Sequence, residues 1–141
     1  MVKKIEQKNY DLSSVKGIGF KNQEKIIVND DWQIVSNLDS IPLPGRELLS
    51  SEISYTSEDM GVIMSSRGCP FKCSFCSHIV RTRYHPVDRV IEEIKKVIDK
   101  YGTSHFSFKD DSFTVNRNRT LEFCNRLVEE KLGMYYKGRL D

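Results

Sequence analysis

Three cysteines within eight residues, Cys69-Pro70-Phe71-Lys72-Cys73-Ser74-Phe75-Cys76, constrain this chain more than any other feature. A C-x3-C-x2-C spacing lets one short loop wrap three thiolates around a compact centre, and thiolates are the soft, anionic donors that hold iron and zinc. A structural zinc site closes with four ligands. A four-iron four-sulfur cluster also commonly takes four cysteines. The motif supplies three, so an iron bound here keeps a position open to a substrate or cofactor. His78 or His85 would be needed to complete a zinc site instead. Cys124, the remaining cysteine, falls on the apolar stripe of a predicted helix and reads as a small core residue. A disulfide within the triplet does not suit this chain. Its first nine residues, Met1 to Asn9, carry charge but no apolar segment of a secretory signal. A reducing, cytoplasmic setting is therefore expected.

The flanking pattern says where the loop sits. Gly61 to Ser66 is a short, nearly unbroken apolar run, as a buried parallel strand shows. A helix is predicted from about Pro86 to Tyr101. Pro86 suits its first position, Asp88 its first turn, Lys100 its last turn and Gly102 the site just beyond. Val87, Val90, Ile91, Ile94, Val97, Ile98 and Tyr101 recur at steps of three and four and make one apolar stripe. Ser104 to Lys109 reads as a second strand, ending in Asp110-Asp111. A second helix runs from about Asn118 to Lys131, with Asn116 as its cap and Leu121, Cys124, Leu127 and Val128 along one side. A third strand is expected at Met134 to Arg139. This β-α-β-α-β order argues for an α/β fold with a parallel sheet and right-handed crossovers.

The cysteine triplet follows the first of these strands, and chemistry in such folds collects at the carboxyl ends of strands. Asp110 and Asp111 stand on the same rim, and Arg139 and Asp141 close the third strand. The ordinary reading of an Asp after a strand is a turn former or helix cap. Upstream, Val15 to Phe20 and Lys25 to Val28 read as a hairpin across Lys21 to Glu24. Residues 29–60, with Pro42, Pro44 and a Ser-rich stretch from Ser50 to Ser57, read as a connector.

Charge excludes other classes. Twenty-two Lys and Arg against 20 Asp and Glu leave a net charge of +2, with no long-range footprint for nucleic acid or an anionic membrane. The basic loop Arg81-Thr82-Arg83-Tyr84-His85 is the best feature for an RNA-binding zinc module, and alone it reads as a solvated or ligand-facing surface. No apolar run approaches the roughly 18 residues of a membrane span.

With these residues in view, the chain resembles the radical SAM superfamily, whose mark is the C-x3-C-x2-C loop with an aromatic, Phe75, before the last cysteine. Ser66 to Ser77, Phe108-Lys109-Asp110-Asp111-Ser112-Phe113-Thr114 and Gly138-Arg139-Leu140-Asp141 look like the cobalamin-binding-domain branch. Val15 to Phe20 and Leu38 to Pro44 look like the end of the cobalamin domain and its connector. The resemblance implies two pieces: a remnant of a cobalamin-binding-like domain plus connector over 1–60, and the first part of a radical SAM barrel over 61–141. It implies that Cys69, Cys73 and Cys76 hold three irons of a 4Fe-4S cluster, whose fourth iron chelates S-adenosylmethionine. One electron then cleaves the sulfonium C–S bond to a 5′-deoxyadenosyl radical. Phe75 is placed near the adenine, with Asp110, Asp111 and Arg139 as further cofactor-binding positions. Members with a Gly-Gly-Glu stretch after strand two differ from this chain there. The implied partners are a small-molecule substrate and a low-potential electron donor such as flavodoxin or ferredoxin, with cobalamin possible in the full-length protein.

The resemblance also implies a fragment. An eight-unit barrel uses about 250 residues, or roughly 31 per unit, so a six-unit superfamily barrel needs roughly 190. Residues 61–141 number 81. The expected fold is an incomplete (β/α) partial barrel of about three of six strands behind a small hairpin and connector.

Overall fold

A computed structural model describes residues 11–30, 34–77 and 80–132, and the backbone of 135–137. The chain divides into two compact units, Met1–Ser36 and Asn37–Asp141.

In the first unit, β1 (Gly19–Asn22) and β2 (Lys25–Val28) form an antiparallel hairpin with Asn22 opposite Lys25. The hairpin runs later and tighter than the expected Val15–Phe20 strand. Gln23 takes a left-handed φ of 53° and allows a two-residue turn. Residues before Gly19 instead form turns tied by the Asn29 side-chain amide, which donates to the Leu12 and Val15 carbonyls at 2.7 Å each.

The second unit holds the parallel sheet. β3 (Val62–Ile63), β6 (His105–Phe108) and β7 (Tyr135–Lys137) pair in parallel and in sequential order. β4 (Ser66–Arg67) and β5 (Arg83–Tyr84) form a separate antiparallel pair. The expected Gly61–Ser66 strand is therefore broken in two, because after Ile63 the chain leaves the sheet to open the cysteine loop. Gly61 sits where the chain crosses β6 so closely that a Cβ would lie 2.0 Å from the His105 carbonyl oxygen.

Helix α1 (Val87–Tyr101) forms as its stripe dictates, burying Val87, Val90, Ile91, Ile94 and Val97, and ends at a left-handed Gly102 whose N–H meets the Ile98 carbonyl at 2.8 Å. Helix α2 (Arg117–Glu129) starts at Asn116, whose side chain accepts from the Arg119 N–H at 3.1 Å. Its buried face is not the expected one. Arg119 and Phe123 are buried and Leu127 packs on the core, whereas Leu121, Cys124 and Val128 are exposed. The reason is aromatic. Phe108, Phe113 and Phe123 stack with centroids 4.8–5.7 Å apart and rotate α2 to place Phe123 inward. The core reading of Cys124 is thereby corrected.

Among the described residues, the core lies on one face of the sheet. Ile63, Phe106 and Phe108 are buried in the core with α1, whereas Val62, beside Ser107 in register, stays 41% exposed. Residues 37–60 belong to this unit and pack on it as a strap. Arg46 donates to the Met60 and Val62 carbonyls and to Glu93 at 2.7–2.9 Å, Arg89 donates to the Ile41 carbonyl, and the Thr103 hydroxyl to the Ser57 carbonyl.

Candidate functional site

The candidate site is the loop that leaves at β4 and returns at β5. Its neck is pinned by Ser66 opposite Tyr84 and Arg67 opposite Arg83. Gly68 closes it. Its φ is +85°, and a Cβ there would lie 2.6 and 2.7 Å from the carbonyl oxygens of Val80 and Arg81. Only glycine lets the two sides of the neck approach so closely in that conformation.

Beyond the neck, Cys69 is half-buried and Cys73 and Cys76 are exposed, all three as free thiols. A turn joins the last two, with the Cys76 N–H donating to the Cys73 carbonyl at 3.0 Å. The three cysteines line one recess of about 310 Å³, together with Phe71, Lys72 and Arg81. Among the described residues, no three His, Cys, Asp or Glu side chains converge as a metal ligand set. The sulfurs thus share a recess without closing on a common point. Phe75 stands 91% exposed, and the aromatic in the recess wall is Phe71.

Asp110 lies behind the loop rather than in the recess. It is buried, and its carboxylate accepts the Ser65 and Ser66 N–H groups at 2.7 and 2.9 Å and the Ser65 hydroxyl. Asp111 is half-buried next to it. Arg139, Asp141 and His78 lie outside the described residues.

Sequence reasoning missed Arg119. A charged residue one turn into a helix reads as surface, but this one is buried. It donates to the Ser65 carbonyl at 3.1 Å, the Ser65 hydroxyl at 3.3 Å and the His85 carbonyl at 3.2 Å, and covers the Tyr84 ring at 5.0 Å. Burial pulls its pKa below the usual arginine range, against the opposing pull of Asp110 and Tyr84. Burial likewise raises the Tyr84 phenol. His85 is buried and its Nδ1 lies 3.0 Å from the Arg89 guanidinium, so that nitrogen accepts. Burial first, then the Arg89 and Arg67 charges, holds its pKa below the usual histidine range. A neutral His85 committed to Arg89 is not in the recess and does not complete a zinc site there.

With this geometry in place, comparison with known proteins finds several enzymes of similar sequence. The chain is 36% identical over 131 residues to an uncharacterized methyltransferase of Pyrococcus horikoshii, covering 89% of this chain and 28% of that one. It is 30% identical over 141 residues to the anaerobic magnesium-protoporphyrin IX monomethyl ester cyclase of Cereibacter sphaeroides, covering 94% and 23%. It is 30% identical over 92 residues to the hopanoid C-2 methylase of Rhodopseudomonas palustris, covering 62% and 17%. Its relatives are methyltransferases and cyclases. The chain spans about a quarter of the length of the first two. No family model and no solved structure matches it. Among the described residues no helix is long and apolar enough to cross a membrane.

Proposed function

We propose that this chain is the cluster-binding part of a radical SAM enzyme, with the fold of the opening of a (β/α) partial barrel. The observation that carries the reading is the set of three free thiols in one recess, on a loop launched from the first strand of a sequentially ordered parallel sheet. The relatives' names, methyltransferases and cyclases, support it. Among the described residues, the donor set fits an iron–sulfur cluster better than structural zinc. His85 is engaged elsewhere, and Cys124 lies on the exposed side of α2, outside the recess.

Cys69, Cys73 and Cys76 would hold the cluster. Loop residues 71–77 are exposed, and they, rather than the close-packed Gly68 neck, would shift to bring the sulfurs together. When bound, a 4Fe-4S cluster with one open iron supplies the electron for reductive cleavage of S-adenosylmethionine. The chain's own part is to space the thiols, hold the loop against the sheet and present Phe71, Lys72 and Arg81 at the recess wall. Phe75 remains a candidate contact for the adenine, and Asp111 and Arg139 for the rest of the cofactor. Asp110 acts from behind through Ser65 and Ser66. In the whole protein we place cobalamin upstream, with an unidentified small-molecule substrate and a low-potential flavodoxin or ferredoxin as donor, in a reducing, cytoplasmic compartment.

The test is anaerobic iron–sulfide reconstitution, dithionite reduction and EPR with and without S-adenosylmethionine. The expected result is a reduced-cluster signal whose g-values shift on adding S-adenosylmethionine. Cys69→Ala abolishes it and Cys124→Ser keeps it. A signal that needs Cys124 and ignores S-adenosylmethionine overturns the reading in favour of a fully ligated electron-transfer cluster.

A further inference from the structure

The neck of the cysteine loop is gripped from the scaffold side by two charged groups that meet on one serine. Ser65 uses every polar atom it has. Its N–H and hydroxyl donate to Asp110, the hydroxyl oxygen accepts from Arg119, and its carbonyl accepts from the His85 N–H at 3.0 Å and from Arg119. The same two charged residues reach both neck strands. Asp110 takes the N–H of Ser66 in β4, while Arg119 covers Tyr84 in β5 and donates to the carbonyl of His85 just beyond it.

Stability alone does not call for this arrangement. Two desolvated charges linked through a hydroxyl are commonly no better than apolar residues of the same volume. What they add is direction: each hydrogen bond fixes an angle that an apolar contact leaves free. The fixed point lies four residues before Cys69, the one thiol of the triplet that is half-buried.

We propose that Arg119 and Asp110 are positioning residues that act through Ser65 to set the pose of Cys69, and so govern how firmly the cysteine loop holds its cluster. This rests on reading the loop as a cluster cradle, but it has a consequence in the metal-free chain as well. Cys69 owes its protection to the neck, whereas Cys73, Cys76 and Cys124 are exposed in any case.

The experiment times N-ethylmaleimide alkylation of each cysteine in the metal-free 141-residue chain by mass spectrometry, with Cys124 as internal reference. Wild-type Cys69 reacts more slowly than Cys73. Arg119→Met and Asp110→Asn raise the Cys69-to-Cys73 rate ratio by about tenfold, the scale of one charge-assisted hydrogen bond, and Arg119→Lys restores part of the protection. After reconstitution, the same variants lose iron to a chelator about tenfold faster, with altered g-values in the cluster that remains. A ratio that stays at the wild-type value in a variant that still unfolds cooperatively overturns the proposal. If the charge variants do not fold, Ser65→Ala removes the hydroxyl alone and keeps the backbone bonds. It should raise the ratio by a smaller factor, and no rise overturns the proposal equally. A wild-type chain that takes no cluster but whose ratio responds to Arg119→Met defeats the cradle reading and leaves the anchor standing. A chain that takes a cluster and whose variants match wild type in both readouts does the reverse.

Discussion

On one side of Gly68 lies the sheet with α1, where Ile63 and Ile94 are 0% exposed and the strands exchange parallel backbone hydrogen bonds. On the other side lies the cysteine loop, exposed from Pro70 to Ser77, with its apolar Phe71 and Phe75 in water. The scaffold follows the rule that apolar side chains leave solvent. The loop breaks it, and is tied back to the scaffold at the neck by the Ser66–Tyr84 and Arg67–Arg83 pairs and by Gly68. The two regions meet only at the neck, so damage to the buried core and changes at the exposed Cys73 and Cys76 should be separable.

The sharpest way to break that separation is from the scaffold side. Ile94→Ala leaves a cavity beneath the sheet and should cost roughly 2–5 kcal/mol, a large share of a stability that rarely exceeds about 15 kcal/mol. Urea unfolding followed by circular dichroism measures it. If the core and the loop are separable, the reactivity of half-buried Cys69 should rise only where the whole chain unfolds.

Gly68→Ala acts on the boundary itself. It forces a side chain into left-handed backbone and against two carbonyl oxygens, a strain of about 1–3 kcal/mol. Unlike Ile94→Ala, it should open the neck and expose Cys69 at denaturant concentrations where α1 is intact. Comparing the Cys69 alkylation rate with helix content across the urea series decides this. A variant in which both change together would merge the two regions into one.

The smallest expected effect is a pH dependence. His85 is held neutral in the folded chain, with its pKa lowered by burial and by Arg89 and Arg67. The unfolded chain binds a proton at ordinary histidine pH, so it holds more protons than the native state between the two pKa values. Stability is then complete above about pH 6.5 and falls as pH drops below it. The slope should shrink in His85→Gln, which keeps an acceptor for Arg89. Urea midpoints between neutral pH and pH 5 measure it, and an unchanged slope in the variant would assign the dependence to other groups.

The sequence carried the scaffold where a pattern repeats. The α1 stripe and its Gly102 stop were readable from spacing alone, and Ser104 to Lys109 contains the observed His105–Phe108 strand. It did not carry what depends on distant partners. The two-residue pairing of β4 with β5 is too short to leave a period. The buried face of α2 was misjudged because Phe123 answers to Phe108 and Phe113, which no helical repeat records. The three thiols stand out because they are neighbours in sequence, but the recess that they line with Arg81 is not readable from their spacing. Asp110 was noticed for its place after a strand, but its donors lie 44 and 45 residues away. Arg119 was invisible, because an arginine buried against a serine 54 residues earlier looks like any other surface cation.

The strap of residues 37–60 bears on how the second unit assembles. Its ties to the α1 region join Ile41 to Arg89, Arg46 to Glu93 and Ser57 to Thr103, spans of 48, 47 and 46 residues. Both partners advance along the chain in the same direction, so the strap lies parallel to the helix. Closing a loop has an entropy cost that depends weakly on its length, and three nearly equal loops laid side by side share most of one closure. The first tie to form meets nearly the whole cost, and the other two then fall into place. The three ties should therefore form or break together rather than one by one.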